Sequence, residues 1–156
     1  MLDQPVPDFE LPATGEKPFR LSTTKGKPIV LYFYPKDSTP GCTTEAQQFR
    51  DLYPEFRAVG CKIYGISRDS LKSHENFKAK QNLPFDLLSD KEEVVCDLFG
   101  VIKMKQLYGK QVRGIERSTF VIDGGGMLRR EWRGVKVAGH AQEVIDFIET
   151  LNPDIS

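Results

Sequence analysis

The sequence predicts an α/β fold. Strand-like and helix-like segments alternate along the chain. Residues 29–34 form a continuous β-branched and aromatic run, the composition of a central strand buried on both faces. A chain of 156 residues, 39% hydrophobic and 28% charged, is long enough for one domain with a real core and too apolar for a disordered one.

Each element follows from local pattern. Residues 8–12 alternate and stop at Pro12, and residues 17–21 supply a hairpin partner. Pro35 ends the run 29–34, and the polar residues 36–41 read as a loop. From Cys42 to Val59 the spacing turns helical, with Ala46, Phe49, Leu52, Tyr53 and Phe56 on one face. Pro54 inside that stretch predicts a kink or a break, and Gly60 closes the helix. Residues 61–67 read as a strand, and 71–80 as a helix capped by Asp69 or Ser70. Residues 85–89 form a short strand and 92–99 a short helix stopped by Gly100. Residues 101–116 lack a clear period and are expected to form a loop. Residues 118–122 form a strand, Asp123-Gly124-Gly125-Gly126 a hairpin turn, and 127–132 the strand that pairs back. Residues 142–151 close the chain as an amphipathic helix. With no repeat, low-complexity tract or linker, the reading is one domain over 1–156.

Charge and composition exclude several functions. Lys+Arg and Asp+Glu both count 22, so the chain lacks the basic footprint of a nucleic-acid binder. No apolar run approaches the ~20 residues of a membrane span. The N-terminus has no basic region followed by an apolar stretch, so a cytoplasmic location is expected. The cysteines are Cys42, Cys61 and Cys96, an odd number without C-x-x-C spacing, which argues against a disulfide framework and a zinc site. The question becomes which thiol has a reactive setting.

Cys42 stands at the first turn of a helix that starts at the end of a buried strand. Helix N-termini present unpaired N–H groups and a partial positive charge, and both favour a thiolate. Pro40 and Gly41 leave the backbone without side-chain cover, Thr39 brings a hydroxyl that can donate and accept, and Pro35 is placed to shield the sulfur from water.

At these residues the sequence resembles a known family. Pro35, Thr39 and Cys42 reproduce the peroxiredoxin signature Pro-x-x-x-Thr-x-x-Cys, and the string from Tyr32 to Ala46 resembles the bacterioferritin-comigratory-protein, or peroxiredoxin Q, subfamily. The resemblance continues in order through Phe49-Arg50-Asp51, Gly65-Ile66-Ser67, Leu83-Pro84-Phe85, Leu87-Leu88-Ser89-Asp90 and the block from Arg117 to Asp123. It implies a thioredoxin-like fold, with a central mixed sheet flanked by helices. It also implies thiol-dependent reduction of hydroperoxides, and no metal or organic cofactor. By the resemblance, Cys42 is the peroxidatic nucleophile that becomes a sulfenic acid. Thr39 orients the peroxide, Arg117 stabilises the thiolate and the charge developing across the O–O bond, Pro35 shapes the pocket, and Glu45 helps hold the arginine.

One departure from the family pattern matters. Many relatives carry a resolving cysteine five residues after the first, and Gln47 stands there. The leading expectation is a one-cysteine cycle closed by an external thiol of thioredoxin, glutaredoxin or glutathione type, in a monomer. The alternatives are a two-cysteine cycle with Cys96 resolving and thioredoxin as reductant, or a non-catalytic thioredoxin-like binding or chaperone module. A thiol–disulfide oxidoreductase is disfavoured because Glu45, not a cysteine, stands three residues after Cys42. The plainer readings are packing for Cys61, a partly exposed and non-catalytic Cys96, a helix-surface role for Gln47, and solvent-facing or capping roles for His74 and His140. Arg129, Arg130, Arg133 and Lys136 read as a solvated strand face and loop.

Overall fold

The computed structural model describes residues 1–151; residues 152–156, which the sequence reading counts within its one domain, lie outside the described residues. Strands β1 (Glu10–Leu11) and β2 (Phe19–Arg20) form the expected N-terminal hairpin. Then β3 (Ile29–Phe33), α1 (Pro40–Ala58), β4 (Lys62–Ser67), α2 (Leu71–Gln81), β5 (Asp86–Ser89) and α3 (Val94–Leu98) alternate. Strands β6 (Ile102–Leu107), β7 (Lys110–Ile115), β8 (Ser118–Ile122) and β9 (Leu128–Arg133) precede the closing helix α4 (His140–Leu151).

The central sheet is mixed, in the order β5-β4-β3-β8-β9. β3, β4 and β5 are parallel, and β8 runs antiparallel to both β3 and β9. Every residue of β3 is buried, as its sequence requires. Its side chains alternate between two cores. Val30, Tyr32 and Tyr34 face a layer built by Ala46, Phe49 and Phe56 of α1, Phe77 of α2, and Val144, Ile145 and Ile148 of α4. Ile29, Leu31 and Phe33 face Val95 and Cys96 of α3, Phe99, and the N-terminal residues Val6, Leu11, Phe19 and Leu21. This is the thioredoxin-like arrangement of helices flanking a mixed sheet. The β3–β8 register pairs Phe33 with Ser118, so Arg117, just before β8, lies at the end of the sheet where β3 enters the loop to α1.

The structure corrects four readings. Residues 101–116 are not a loop: β6 and β7 form a two-stranded hairpin, with Met104 opposite Arg113. Most of its side chains are exposed on both faces, so no alternation marks it in the sequence. The break offered at Pro54 is absent, since α1 runs continuously from Pro40 to Ala58. Pro54 removes one helical donor, to the Arg50 carbonyl, at an exposed position. Cys96 is not partly exposed; it is fully buried while Val94 is 62% exposed. The helix begins only after Glu93, whose backbone is left-handed (φ 62°), and the Cys96 N–H is held at 2.7 Å by the Asp90 carboxylate, which turns Cys96 inward. His74 and His140 are buried instead of solvent-facing, because each finds polar partners inside: His74 with Asp37 and Leu88 O, His140 with Thr119 Oγ1 at 2.8 Å.

Candidate active site

The loop from β3 to α1 sets the site. Thr39 is the N-cap of α1 in extended conformation, and Pro40 occupies the first helical position, where its missing N–H costs nothing. Cys42 therefore lies in the first turn, within reach of the positive end of a 19-residue helix. It is only 2% exposed. Arg117 stands just before the first residue of β8 and spans two partners. Its Nη2 lies 3.5 Å from Cys42 Sγ, and its Nη1 donates to Glu45 Oε1 at 2.6 Å. Gly41 is what lets the guanidinium come so close, since a Cβ there would stand 3.1 Å from Nη2.

Charge at the site is confined. Glu45 is 1% exposed, and burial pushes its carboxyl up to about 7 against the pull of Arg117. Its second oxygen, Oε2, is buried without a hydrogen-bond partner. Burial works against the charge of Arg117, but its interactions with Glu45 and Cys42 outweigh it and hold the guanidinium above its ordinary value. The Thr39 hydroxyl donates to Lys36 O at 2.8 Å, which leaves its lone pairs to accept.

Of the residues singled out from sequence, Cys42, Glu45 and Arg117 are in direct contact or one bond apart. Thr39 caps the same helix, and half-buried Pro35 opens the loop. Cys61 and Cys96 stand apart chemically. Burial pushes the Cys61 thiol up to about 12. Burial and the neighbouring Asp90 carboxylate push Cys96 far above the ordinary thiol range. All three cysteines are free. Gln47 is not a plain surface residue: it is half-buried, and its Nε2 donates to Gln81 Oε1 at 3.0 Å while Arg50 donates to Gln81 O at 2.9 Å. Together they tie α1 to the end of α2.

Residues 2–131 match the AhpC/TSA family model. The chain belongs to the AhpC/TSA family. It is 53% identical to the Xanthomonas campestris protein named Peroxiredoxin Bcp, over 93% of this chain and 92% of that one. It is 48% identical to the Bacillus subtilis Peroxiredoxin Bcp, over 97% and 96%. Among solved structures, Xanthomonas campestris Peroxiredoxin Q superposes with a TM-score of 0.88 at 52% identity, over 91% of this chain and 90% of that one. Enterococcus faecalis AhpC, at 20% identity and a TM-score of 0.81, shares the fold. The chain is thus a peroxiredoxin of the Bcp, or Q, branch, a thiol-dependent peroxidase.

Behind the loop of this peroxiredoxin lies a polar cluster that the sequence reading passed over. Asp37 is buried and accepts from Tyr34 Oη at 2.6 Å and Ser73 Oγ at 2.8 Å, and it pairs with His74 Nδ1 at 2.7 Å. The spacing Tyr34-x-x-Asp37 within the signature string was the visible sign, because a buried tyrosine hydroxyl needs a partner. His74 gave none: a lone histidine in a short amphipathic helix looks the same whether it faces in or out.

Proposed function

We propose that this peroxiredoxin reduces hydrogen peroxide and small organic hydroperoxides through a sulfenic acid at Cys42, in a one-cysteine cycle. The observation that carries the reading is the Arg117 guanidinium placed between Cys42 Sγ and Glu45 at the start of α1. The Cys42 thiolate attacks the terminal peroxide oxygen and the S–O bond forms as the O–O bond breaks. The bonding pair leaves on the distal oxygen, which takes a proton and departs as water or an alcohol. Arg117 offers its N–H groups to the charge that moves from sulfur to the leaving oxygen. The proton of Thr39 is committed to the Lys36 carbonyl, so its hydroxyl oxygen accepts from the peroxide O–H and orients it. One external thiol then displaces hydroxide from the sulfenic acid, giving a mixed disulfide and water. A second thiol releases Cys42 and leaves as a disulfide.

Two features support the one-cysteine form. Gln47 occupies the position five residues after Cys42, and Cys96 is buried with its thiol held protonated. The reductant is an external thiol of thioredoxin, glutaredoxin or glutathione type, and the protein works as a cytoplasmic monomer built as one domain. Alkyl peroxides fit a related case: a Xanthomonas campestris bacterioferritin comigratory protein, 51% identical, is described for alkyl peroxide reduction activity. The deciding experiment is mass spectrometry under non-reducing conditions after one equivalent of peroxide, with Cys42→Ser as control. A sulfenic adduct on Cys42 is expected. An internal disulfide would refute the one-cysteine form, and peroxide turnover by Cys42→Ser would refute the nucleophile.

A further inference from the structure

The proton count at His74 is fixed by its neighbours. Its Nε2 lies 2.9 Å from Leu88 O, which can only accept, so Nε2 carries a proton. Its Nδ1 lies 2.7 Å from Asp37 Oδ2, so a second proton lies between them. Tyr34 Oη donates to the other Asp37 oxygen, and Ser73 Oγ donates to Oδ2 as well. The arrangement is a buried His74–Asp37 pair with a shared proton and every polar atom engaged. Burial alone would raise the Asp37 carboxyl, but the bonds from His74, Tyr34 and Ser73 hold it below its ordinary value. Donor atoms of Asp37, Asp69 and His74 lie within 4.8 Å of one another, the spacing of a metal site. Nε2 donates to Leu88 O, one proton lies between Nδ1 and Asp37, and both Asp37 oxygens accept from neighbouring hydroxyls, so a cation would have to displace these bonds.

The pair acts on the loop that carries the site. Asp37 stands two residues before Thr39, and its own N–H donates to Asp69 Oδ2 at 2.9 Å. Between them Ser38 adopts a left-handed backbone (φ 63°), an uncommon conformation for a residue with a Cβ, which persists only where its surroundings hold it. Anchors on both sides of the Asp37 peptide, one from α2 and one from the β4–α2 turn, fix where Thr39 caps α1.

We propose that His74 and Asp37 form a positioning pair for the peroxidase reaction. Neither touches the peroxide. Together they hold residues 36–39 so that the Thr39 hydroxyl meets the incoming O–O bond, and they couple α2 to the site. The inference rests on the assignment of Cys42 and Thr39 made above.

The test separates positioning from thiolate stabilisation and from folding. Rates with hydrogen peroxide and with iodoacetamide are measured on protein whose folded fraction is fixed by near-ultraviolet circular dichroism. Asp37→Ala and His74→Leu are each expected to slow the peroxide step by ~10–100-fold, the scale of a misplaced group near 1 Å. The alkylation rate of Cys42, set by Arg117 and the helix start, stays unchanged. The double variant is expected to lose no more than the worse single, because the two act as a unit. Asp37→Asn restores most of the rate, since its amide accepts from Tyr34 and donates to a neutral His74 Nδ1. An Asp37→Ala protein that is folded and reacts with peroxide at the parental rate overturns the proposal. So do equal losses of the peroxide and alkylation rates, and so do multiplicative losses in the double variant. Where Asp37→Ala does not fold, Tyr34→Phe and Ser73→Ala take its place, each removing one hydrogen bond. A graded fall in the peroxide rate alone supports the pair, and no change in either overturns it. Cys42→Ser is run alongside: turnover in that variant refutes the nucleophile assignment, not the pair.

Discussion

Replacing the Glu45 carboxyl with an amide should stabilise the peroxiredoxin at neutral pH and remove part of its pH dependence. Burial holds the Glu45 proton to about 7, whereas an exposed glutamate releases it near 4.5. Between those values the unfolded chain has lost the proton and the native protein has kept it. The group's contribution to stability is therefore full below pH 4.5 and is lost as pH rises through about 7. The gap corresponds to about 3 kcal/mol, at ~1.4 kcal/mol per pH unit. Solvent screening does not reduce it much, because Glu45 is almost wholly buried. In Glu45→Gln the side-chain oxygen still accepts from Arg117, and no charge has to be buried. Urea unfolding across about pH 5 to pH 8 measures the difference between variant and parent. That difference should move in favour of Glu45→Gln by ~2–3 kcal/mol across the window. A difference constant within ~0.5 kcal/mol would show that Glu45 is already ionised well below neutrality and that the Arg117 ion pair overrides burial.

Further outcomes are expected. Arg117→Ala should slow both alkylation of Cys42 at neutral pH and the peroxide step, since the thiolate loses its cation. Thr39→Val should slow the peroxide step alone; stopped-flow rates with iodoacetamide and peroxide decide, and an unchanged alkylation rate in Arg117→Ala would remove that role. For Gln47→Cys, residues five apart in a helix have Cα atoms ~8.7 Å apart, from ~1.5 Å rise, ~100° per residue and a ~2.3 Å radius. Disulfides rarely exceed ~7 Å. Peroxide should therefore give a 42–47 disulfide only with partial loss of helical circular dichroism, regained on reduction, and peptide mapping that finds no such link would show a stiffer helix start. Cys61→Ser and Cys96→Ser should keep dithiothreitol-dependent peroxidase activity, and selective loss of thioredoxin-dependent turnover in Cys96→Ser would establish it as the resolving thiol.

The parts of the molecule written in local pattern were legible in the sequence. The run 29–34 states its burial, and the proline, glycine and capping residues mark where α1, α2 and the β8–β9 turn begin and end. Contacts between distant segments were not legible from pattern. Arg117 lies 75 residues from Cys42, and only the family signature brought them together. The Asp37–His74 pair joins a loop to a helix 37 residues on, and no period or spacing encodes it. The β6–β7 hairpin was missed for a different reason: strands that are solvated on both faces have no side that must be apolar. Cys96 was misplaced because a five-residue helix gives too few positions to fix which way its face turns.

The two cysteines outside the site lie in different cores. Cys61 packs in the layer under α1, α2 and α4, and Cys96 in the layer beneath α3 and the N-terminal segment. In the native protein neither is accessible, so a thiol reagent reaches each one only when its own side of the sheet opens. With Cys42 blocked, the labelling rates at Cys61 and Cys96 become two separate clocks. If the sheet opens as one cooperative unit, the clocks keep the same time under mild denaturant. If the faces loosen independently, they diverge, and the faster one names the side that yields first.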